Sequence, residues 1–138
     1  MKTLYEAEAV ATGDGRNGHA RSTDGILDID LAMPVSMGGS GDATNPEQLF
    51  AAGYAACFHS SLITIGRRLR LAPGDSTVTA HVTLGSTEQR AYQLAVRLVI
   101  DLPNLDRPVA EELAEAAHQQ CPYSHATRGN IDVTWEIV

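Results

Sequence analysis

A stretch that follows Pro46 and runs to about Arg70 without a further proline constrains the fold of this chain more than any other feature. Its start carries helix signals: Asn45 is a good N-cap, Pro46 fits the first helical position, and Gln48 can reach back to the amide of the cap. The first half consists mostly of Ala and Gly, and a helix that is small and apolar all round is normally buried on most sides. The stretch therefore predicts one long central helix of roughly 25 residues, or ~37 Å.

Alternating apolar and polar residues predict β-strands on both sides of this helix. The loop over 32–44 is long, and structureless loops of this length are often functional. The other elements are three strands in 1–31, a hairpin in 77–100, a helix from Asp106 to about Gln120 and a final strand in 131–137. The order βββ-α-ββ-α-β predicts an α+β fold with antiparallel sheets, in a single domain that spans residues 1–138.

Charge and composition exclude several classes of function. Ten Lys and Arg stand against 17 Asp and Glu, a net charge of −7, which disfavours nucleic acid and anionic membranes as partners. No consecutive apolar run approaches the ~20 residues of a membrane span. The first residues lack the apolar segment of a signal peptide, so we expect a cytoplasmic protein. In that reducing compartment a structural disulfide is not expected, which leaves the two cysteines as inert, metal-binding or redox-active groups.

The two cysteines occupy different settings. Cys57 lies in the middle of the long small-residue helix, and Cys121 lies at a helix end before Pro122. Both are candidates for ordinary small core residues, but the polar, turn-like stretch after Cys121 is an uncommon place for one. Thiol chemistry requires a thiolate, which needs positive charge or hydrogen-bond donors nearby. The sequence does not choose among the candidate partners, which are Arg16, Arg21, His59, His118, His125 and Arg128.

Two other kinds of site are considered for these residues. His118, Cys121 and His125 have the spacing of metal ligands, but the cluster holds one cysteine and no Cys-x-x-Cys pair. A Cys–His hydrolase is the other, although no nucleophile elbow accompanies either cysteine. For His19, His59 and His81 we expect exposed or hydrogen-bonded residues without catalytic work.

Two long motifs resemble a known family, the organic hydroperoxide resistance proteins. They are the stretch from Ala43 to Phe58, which contains Asn-Pro-Glu-Gln-Leu-Phe and Cys57, and the stretch Cys-Pro-Tyr-Ser-His-Ala-Thr-Arg-Gly-Asn-Ile that begins at Cys121. The early Gly15–Gly18 segment also matches, so that the resemblance covers essentially the whole chain. His125 departs from the motif, which usually carries Asn there. The related osmotically inducible protein C branch shares the fold and the cysteine pair.

The resemblance implies a thiol peroxidase that reduces organic and lipid hydroperoxides without a metal or an organic cofactor. Cys57 matches the peroxidatic cysteine, Cys121 the resolving cysteine, and Arg16 and Glu47 the residues that activate the first, with Glu47 orienting the Arg16 guanidinium through a bidentate pair. A dithiol, notably a lipoylated protein, is the reductant that the family uses. The alternatives are a peroxidase of the osmotically inducible branch and a non-enzymatic redox sensor, which we expect less because the chain supplies no separate output domain.

Helix geometry adds a prediction about assembly. Glu47 and Cys57 are ten residues apart on one helix, which separates their backbones by ~15 Å along the axis. One guanidinium cannot easily touch both within a chain, whereas two copies of the helix packed antiparallel bring Glu47 of one copy to Cys57 of the other. We therefore expect an intertwined homodimer in which Glu47 and Arg16 come from the partner of Cys57, as the family's dimeric habit also implies.

Apolar side chains near the motifs are available to line the mouth of the site. Such a mouth favours bulky alkyl or lipid hydroperoxides over hydrogen peroxide. An ordinary core role is the alternative for these residues, which are Met33, Met37, Leu49, Phe50, Tyr54 and Phe58.

Overall fold

A computed structural model describes all 138 residues, which form two compact units, 1–49 and 50–138. The first unit contains β1 (Ala9–Thr12), β2 (His19–Ser22) and β3 (Asp28–Asp30). These strands form an antiparallel sheet with β2 in the middle. The predicted meander of three strands is therefore confirmed.

The first unit buries little of its apolar surface. Leu31 and Ala32 are its two buried residues, at 8 % and 5 % exposure. Large apolar side chains of this unit are exposed instead, namely those of Met1, Leu4, Tyr5, Val10, Ile26, Leu27, Val35 and Met37. Exposed apolar surface of this extent is typical of a region that packs against another molecule.

Helix α1 (Pro46–Arg68) begins where the sequence predicts and ends two residues before Arg70. The Asn45 cap is confirmed, because Oδ1 of Asn45 accepts a hydrogen bond of 2.9 Å from the amide of Gln48. The Gln48 side chain does not return to the cap amide as predicted. Its Oε1 accepts a 2.8 Å hydrogen bond from the hydroxyl of Thr44, a stronger donor that lies within reach one residue before the cap.

The expectation that α1 is buried on most sides is wrong for the single chain. Only six of its 23 residues are buried, namely Tyr54, Phe58, Ser61, Leu62, Ile65 and Gly66. Every fourth residue is exposed, which places Gln48, Ala52, Ala56, Ser60 and Thr64 on one open face. By length and composition α1 could also span a membrane, a test that core helices of soluble proteins pass as well. Scattered Ser, Thr and Gly residues interrupt its apolar runs, so α1 contains no consecutive apolar stretch of membrane-spanning length.

The second unit contains the rest of α1 and a three-stranded sheet in the order β4-β5-β6. Its further elements are β4 (Thr77–Ser86), β5 (Tyr92–Asp101), α2 (Arg107–Gln120), α3 (Pro122–Thr127) and β6 (Val133–Ile137). The β4–β5 hairpin is antiparallel as predicted, but β6 is parallel to β5. The prediction of purely antiparallel sheets is thus wrong at β6, because a helix lies between β5 and β6 and a helical crossover returns the chain in the same direction. The fold class, α+β, is confirmed.

The core of this unit lies between α1, α2 and the inner face of β5. The predicted apolar side of α2 faces it, since Ala110, Leu113, Ala114 and Ala117 are buried. The largest fully buried side chains are those of Tyr54, Phe58, Leu62, Leu98, Ile100 and Leu113. Cys121 belongs to the same cluster, and Cys57 packs against it.

Candidate active site

The two cysteines lie next to each other in the second unit. The Sγ atoms of Cys57 and Cys121 are 3.6 Å apart, although the residues are 64 positions apart in sequence. Both are free thiols; Cys57 is partly buried and Cys121 is fully buried. The sequence argument that Cys121 does not fit a core position is therefore wrong, because the segment after it is helical and keeps the residue at its start turned inward.

Cys121 forms the junction between α2 and α3. Its amide donates a hydrogen bond to the carbonyl of Ala117, which ends α2, and its carbonyl accepts one from the amide of His125, which begins α3. Pro122 cannot continue α2 because it lacks an amide hydrogen and its ring clashes with the preceding turn, whereas it fits the first position of α3. The predicted break at Cys121–Pro122 is confirmed, but a short helix follows it rather than a turn.

The environment of Cys57 within the second unit favours the thiol over the thiolate. Burial raises the pKa of Cys57, and the neighbouring Cys121 raises it further. The backbone amide of Tyr123, in the first turn of α3, donates to the Cys57 sulfur and lowers the pKa. Neither Tyr123 nor Cys121 brings a positive charge to the sulfur, so the second unit by itself does not supply the cation that a reactive thiolate needs.

Arg16 and Glu47 form a bidentate ion pair in the first unit. Nη1 of Arg16 lies 2.8 Å from Oε2 of Glu47, and Nη2 lies 2.7 Å from Oε1. The hydrogen bond from Arg16 lowers the pKa of Glu47 and so keeps it ionised. The predicted pairing is confirmed, and its two parallel bonds fix the plane of the guanidinium.

Local sequence holds both partners of this pair. Arg16 lies in a short 3₁₀ turn between β1 and β2, and Glu47 lies in the first turn of α1. Gly15 adopts a φ of +54°, a left-handed conformation that favours glycine. A Cβ at Gly18 would overlap the carbonyl oxygen of Thr12, so only glycine fits there without a shift of the loop. The Gly-Arg-Asn-Gly segment is thus shaped to present Arg16.

A buried polar network that the sequence does not predict lies beside the cysteines. The hydroxyl of Tyr54 lies 3.0 Å from Oγ of Ser124 and 3.1 Å from Oγ1 of Thr127. Oγ of Ser124 also lies 3.0 Å from Nδ1 of His118. Burial, and then the charge of Arg128, lower the pKa of His118. The segment after Cys121 is polar, and polar residues do not indicate burial. The helical spacing of Cys121, Ser124 and Thr127 is the one sequence feature that points to a buried side.

The predicted apolar mouth is corrected at two positions. Tyr54 and Phe58 are fully buried in the core, so their side chains do not line an accessible mouth. Both lie on the core-facing side of α1, where the ordinary core role applies. Phe50 is partly buried and packs with Tyr54 and Tyr123, at ring-centroid distances of 6.0 and 5.9 Å.

Phe50 also lines an open cavity of about 570 Å³ in the second unit. Leu94 and Ile131 contribute apolar wall, and Gln93 and Asn130 contribute amides. The other predicted mouth residues, Met33, Met37 and Leu49, belong to the first unit, and none of them is fully buried.

The remaining histidines have local roles. His19 bridges Asp30 at 2.8 Å and Asp28 at 2.6 Å, and these hydrogen bonds, that of Asp30 first, raise its pKa. His59 pairs with the hydroxyl of Ser76 at 2.9 Å, and His125 is exposed on α3. No group of three or more His, Cys, Asp or Glu side chains has the arrangement of a metal site.

Comparison with known proteins places this geometry in context. Residues 39–136 match the model of the OsmC-like protein family. An organic hydroperoxide resistance protein of Xanthomonas axonopodis pv. citri is 47 % identical over 135 residues, which cover 96 % of this chain and 94 % of that protein.

Two solved structures share the whole fold. One is an organic hydroperoxide resistance protein of Legionella pneumophila, with a TM-score of 0.94 and 47 % identity over 99 % of this chain and 98 % of that one. The other is the organic hydroperoxide resistance protein OhrB of Bacillus subtilis, with a TM-score of 0.89 and 45 % identity over 99 % and 100 % of the two chains.

Proposed function

We propose that this chain, which belongs to the organic hydroperoxide resistance proteins of the OsmC-like family, is a thiol peroxidase that reduces organic hydroperoxides to alcohols. The observation that carries the proposal is the pair of free thiols, Cys57 and Cys121, with sulfurs 3.6 Å apart in a buried setting. Two thiols at this separation need to approach by only about 1.5 Å to form a disulfide.

The reaction proceeds in three balanced steps. The Cys57 thiolate attacks the distal oxygen of ROOH, the O–O bond breaks, and the alkoxide leaves as the alcohol after taking up a proton, which leaves a sulfenic acid on Cys57. The Cys121 thiol then attacks the Cys57 sulfur, the S–O bond breaks, and water departs as the disulfide forms. A dithiol of the lipoyl type returns the disulfide to two thiols by exchange and becomes a disulfide itself.

Activation of Cys57 requires a cation, and the Arg16–Glu47 pair is the group that suits this task. Burial raises the pKa of Cys57, so a guanidinium beside the sulfur would favour the thiolate and polarise the departing oxygen. Glu47 fixes the guanidinium in one plane through its two hydrogen bonds. Because α1 is one continuous helix, Glu47 and Cys57 of the same chain are separated by ~15 Å along its axis. We therefore assign the Arg16–Glu47 pair that serves each Cys57 to the other protomer of a homodimer.

The exposed apolar surface of the chain supports this dimer. α1 carries an open face on which Ala52, Ala56 and Ser60 are small enough for two helices to approach closely. The first unit adds large exposed side chains such as Leu4, Tyr5 and Ile26. In a symmetric dimer each such patch meets a copy of the same chain, so that two equivalent sites form at the interface.

The remaining parts of the proposal concern substrate and setting. Phe50 remains in the apolar mouth, where it lines the open cavity of the second unit, and such a mouth favours bulky alkyl or lipid hydroperoxides. Comparable second-order rates for hydrogen peroxide and cumene hydroperoxide would contradict this preference. The protein works in the cytoplasm, where dithiol reductants are available, and uses neither a metal nor an organic cofactor.

Dithiothreitol-driven reduction of cumene hydroperoxide tests the function. The wild type is compared with Cys57→Ser, Cys121→Ser and the double variant, which sets the baseline. We expect Cys57→Ser to fall to that baseline. Cys121→Ser should consume one equivalent of hydroperoxide per chain when dithiothreitol is left out, and should turn over in its presence only as fast as dithiothreitol itself reduces the sulfenic acid. Turnover that survives in Cys57→Ser would overturn the proposal.

A further inference from the structure

Cys121 is enclosed by a hydrogen-bonded network to which the peroxidase steps assign no role. His118 precedes Cys121 by three residues and Ser124 follows it by three, and their side chains meet at 3.0 Å across the junction of α2 and α3. Ser124 also lies 3.0 Å from the hydroxyl of Tyr54, on the helix that carries Cys57. Ser124 and Tyr54 are fully buried, so these bonds do not compete with water.

Two hydrogen bonds of the network have a definite direction when His118 is neutral and carries its proton on Nε2. Nδ1 is then an acceptor and takes the hydroxyl proton of Ser124. Thr127 donates its hydroxyl hydrogen to the carbonyl of Tyr123 at 2.9 Å, which leaves Oγ of Ser124 and Oγ1 of Thr127 as acceptors that share the single hydroxyl hydrogen of Tyr54. No buried side-chain nitrogen or oxygen of the chain lacks a partner. A fully satisfied network of this kind holds its members in one arrangement.

A third contact closes the junction from outside. Nη2 of Arg128 donates a 2.6 Å hydrogen bond to the carbonyl of His118 in the last turn of α2. The segment after α3 is thereby tied to α2, just as Ser124 ties α3 to His118 and to α1. Cys121 lies at the centre of these ties, and α3 itself presents the amide of Tyr123 to the Cys57 sulfur.

We propose that His118 is a positioning residue for the resolving step: through Ser124 it holds the Cys121 thiol against Cys57, so that the disulfide closes before a second hydroperoxide reacts. This inference rests on the proposed function. In the productive step Cys121 attacks the sulfenic sulfur, an S–S bond replaces the S–O bond, and water leaves. In the competing step a second ROOH transfers its distal oxygen to the sulfenate, which becomes a sulfinate, and ROH leaves. The network determines the ratio of these two outcomes.

The test measures this ratio in variants that remove or replace one hydrogen bond. His118→Ala and Ser124→Ala both lose the bond between the two side chains. His118→Asn keeps it, because the amide oxygen of Asn occupies nearly the position of Nδ1. Gln119→Ala, on the exposed side of the same turn, is the matched control. Each variant is mixed with increasing cumene hydroperoxide, and intact-mass spectrometry gives the fractions of disulfide and sulfinic acid.

We expect the sulfinic fraction at a given hydroperoxide concentration to rise about fivefold in His118→Ala and Ser124→Ala, the rate effect of one lost hydrogen bond. His118→Asn and Gln119→Ala should match the wild type. The rate of the first step, followed by single-turnover loss of hydroperoxide, should stay within about twofold in all variants, since the network holds Cys121 rather than the attacking sulfur.

Two results would overturn the inference. One is an unchanged ratio in both alanine variants, and the other is a raised ratio in His118→Asn, which would assign the effect to packing of the imidazole. A wild type that forms no sulfenic acid and consumes no hydroperoxide would instead refute the proposed function, so the two failures are distinguishable.

Discussion

If Arg16 of one protomer serves Cys57 of the other, two inactive variants should restore each other when they form a dimer. Arg16→Ala lacks the cation and Cys57→Ser lacks the nucleophile, so neither homodimer has a complete site. In a heterodimer, the intact Cys57 of one chain meets the intact Arg16 of the other, while the second site lacks both groups.

The size of the recovery follows from counting sites. Random pairing of equal amounts of two chains makes about half of the dimers heterodimers, and each of these has one complete site out of two. Turnover per chain should therefore reach about a quarter of the wild-type value. If Arg16 served the Cys57 of its own chain, no complete site would form and the mixture would stay at the level of its parents.

The two chains are unfolded together, refolded as a mixture and assayed with cumene hydroperoxide and dithiothreitol. A mixture of Cys57→Ser with Cys121→Ser is the matched control. These two residues lie 3.6 Å apart within one chain, so their variants should not restore each other. A first mixture that shows no gain over its parents would refute the assignment of Arg16 to the partner, and a control mixture that recovers would refute the pairing of the cysteines within a chain.

Three further predictions concern the first unit. The pKa of Glu47 is lowered by Arg16, so the contribution of Glu47 to the stability of the fold is complete above the ordinary glutamate pKa and is lost as the pH falls through the lowered value. Glu47→Gln should therefore reduce the fall of the urea unfolding midpoint at acidic pH. The pKa of His19 is raised, so the contribution of His19 to the stability of the fold is complete below the ordinary histidine pKa and is lost as the pH rises through the raised value. His19→Gln should remove this loss of stability, and an unchanged dependence of the urea midpoint on pH would contradict the reasoning. Gly18→Ala should lower peroxidase turnover at least about tenfold by shifting the Arg16 loop, whereas Gly85→Ala, where a Cβ meets no atom closer than 3.9 Å, should leave turnover unchanged.

Local signals made much of the fold predictable. Asn45 and Pro46 mark the start of α1 because capping and ring geometry act over three or four residues, and the structure begins the helix there. The β4–β5 hairpin and the buried side of α2 follow from periodicity for the same reason. The pairing of Arg16 with Glu47 became predictable only through the resemblance, since 31 positions separate them in sequence.

Features that depend on tertiary neighbours could not be predicted from the sequence. The direction of β6 is decided by the α2 crossover and by its pairing with β5, neither of which alternation records. Ser124 looks like a residue of a solvated turn, yet it is buried because α3 packs it between Tyr54 and His118. The exposed face of α1 could not be predicted for a related reason. Small apolar residues indicate close packing, but they do not indicate whether the neighbour belongs to the same chain.

The two units hold different parts of the chemistry that the proposed function requires. The unit 50–138 holds both sulfurs in an apolar core, which keeps them close together but raises the pKa of Cys57. The unit 1–49 holds the Arg16 guanidinium, whose plane is fixed by Glu47. Arg16 lies on a loop whose conformation requires Gly15 and Gly18. An apolar setting alone would leave Cys57 a thiol, and water would screen an exposed guanidinium from a distant sulfur. Bringing the cation into the apolar setting increases its effect on the thiolate, because charges interact more strongly where water is excluded. Under the proposed function, assembly of the dimer is therefore the step that converts the buried Cys57 thiol into a nucleophile.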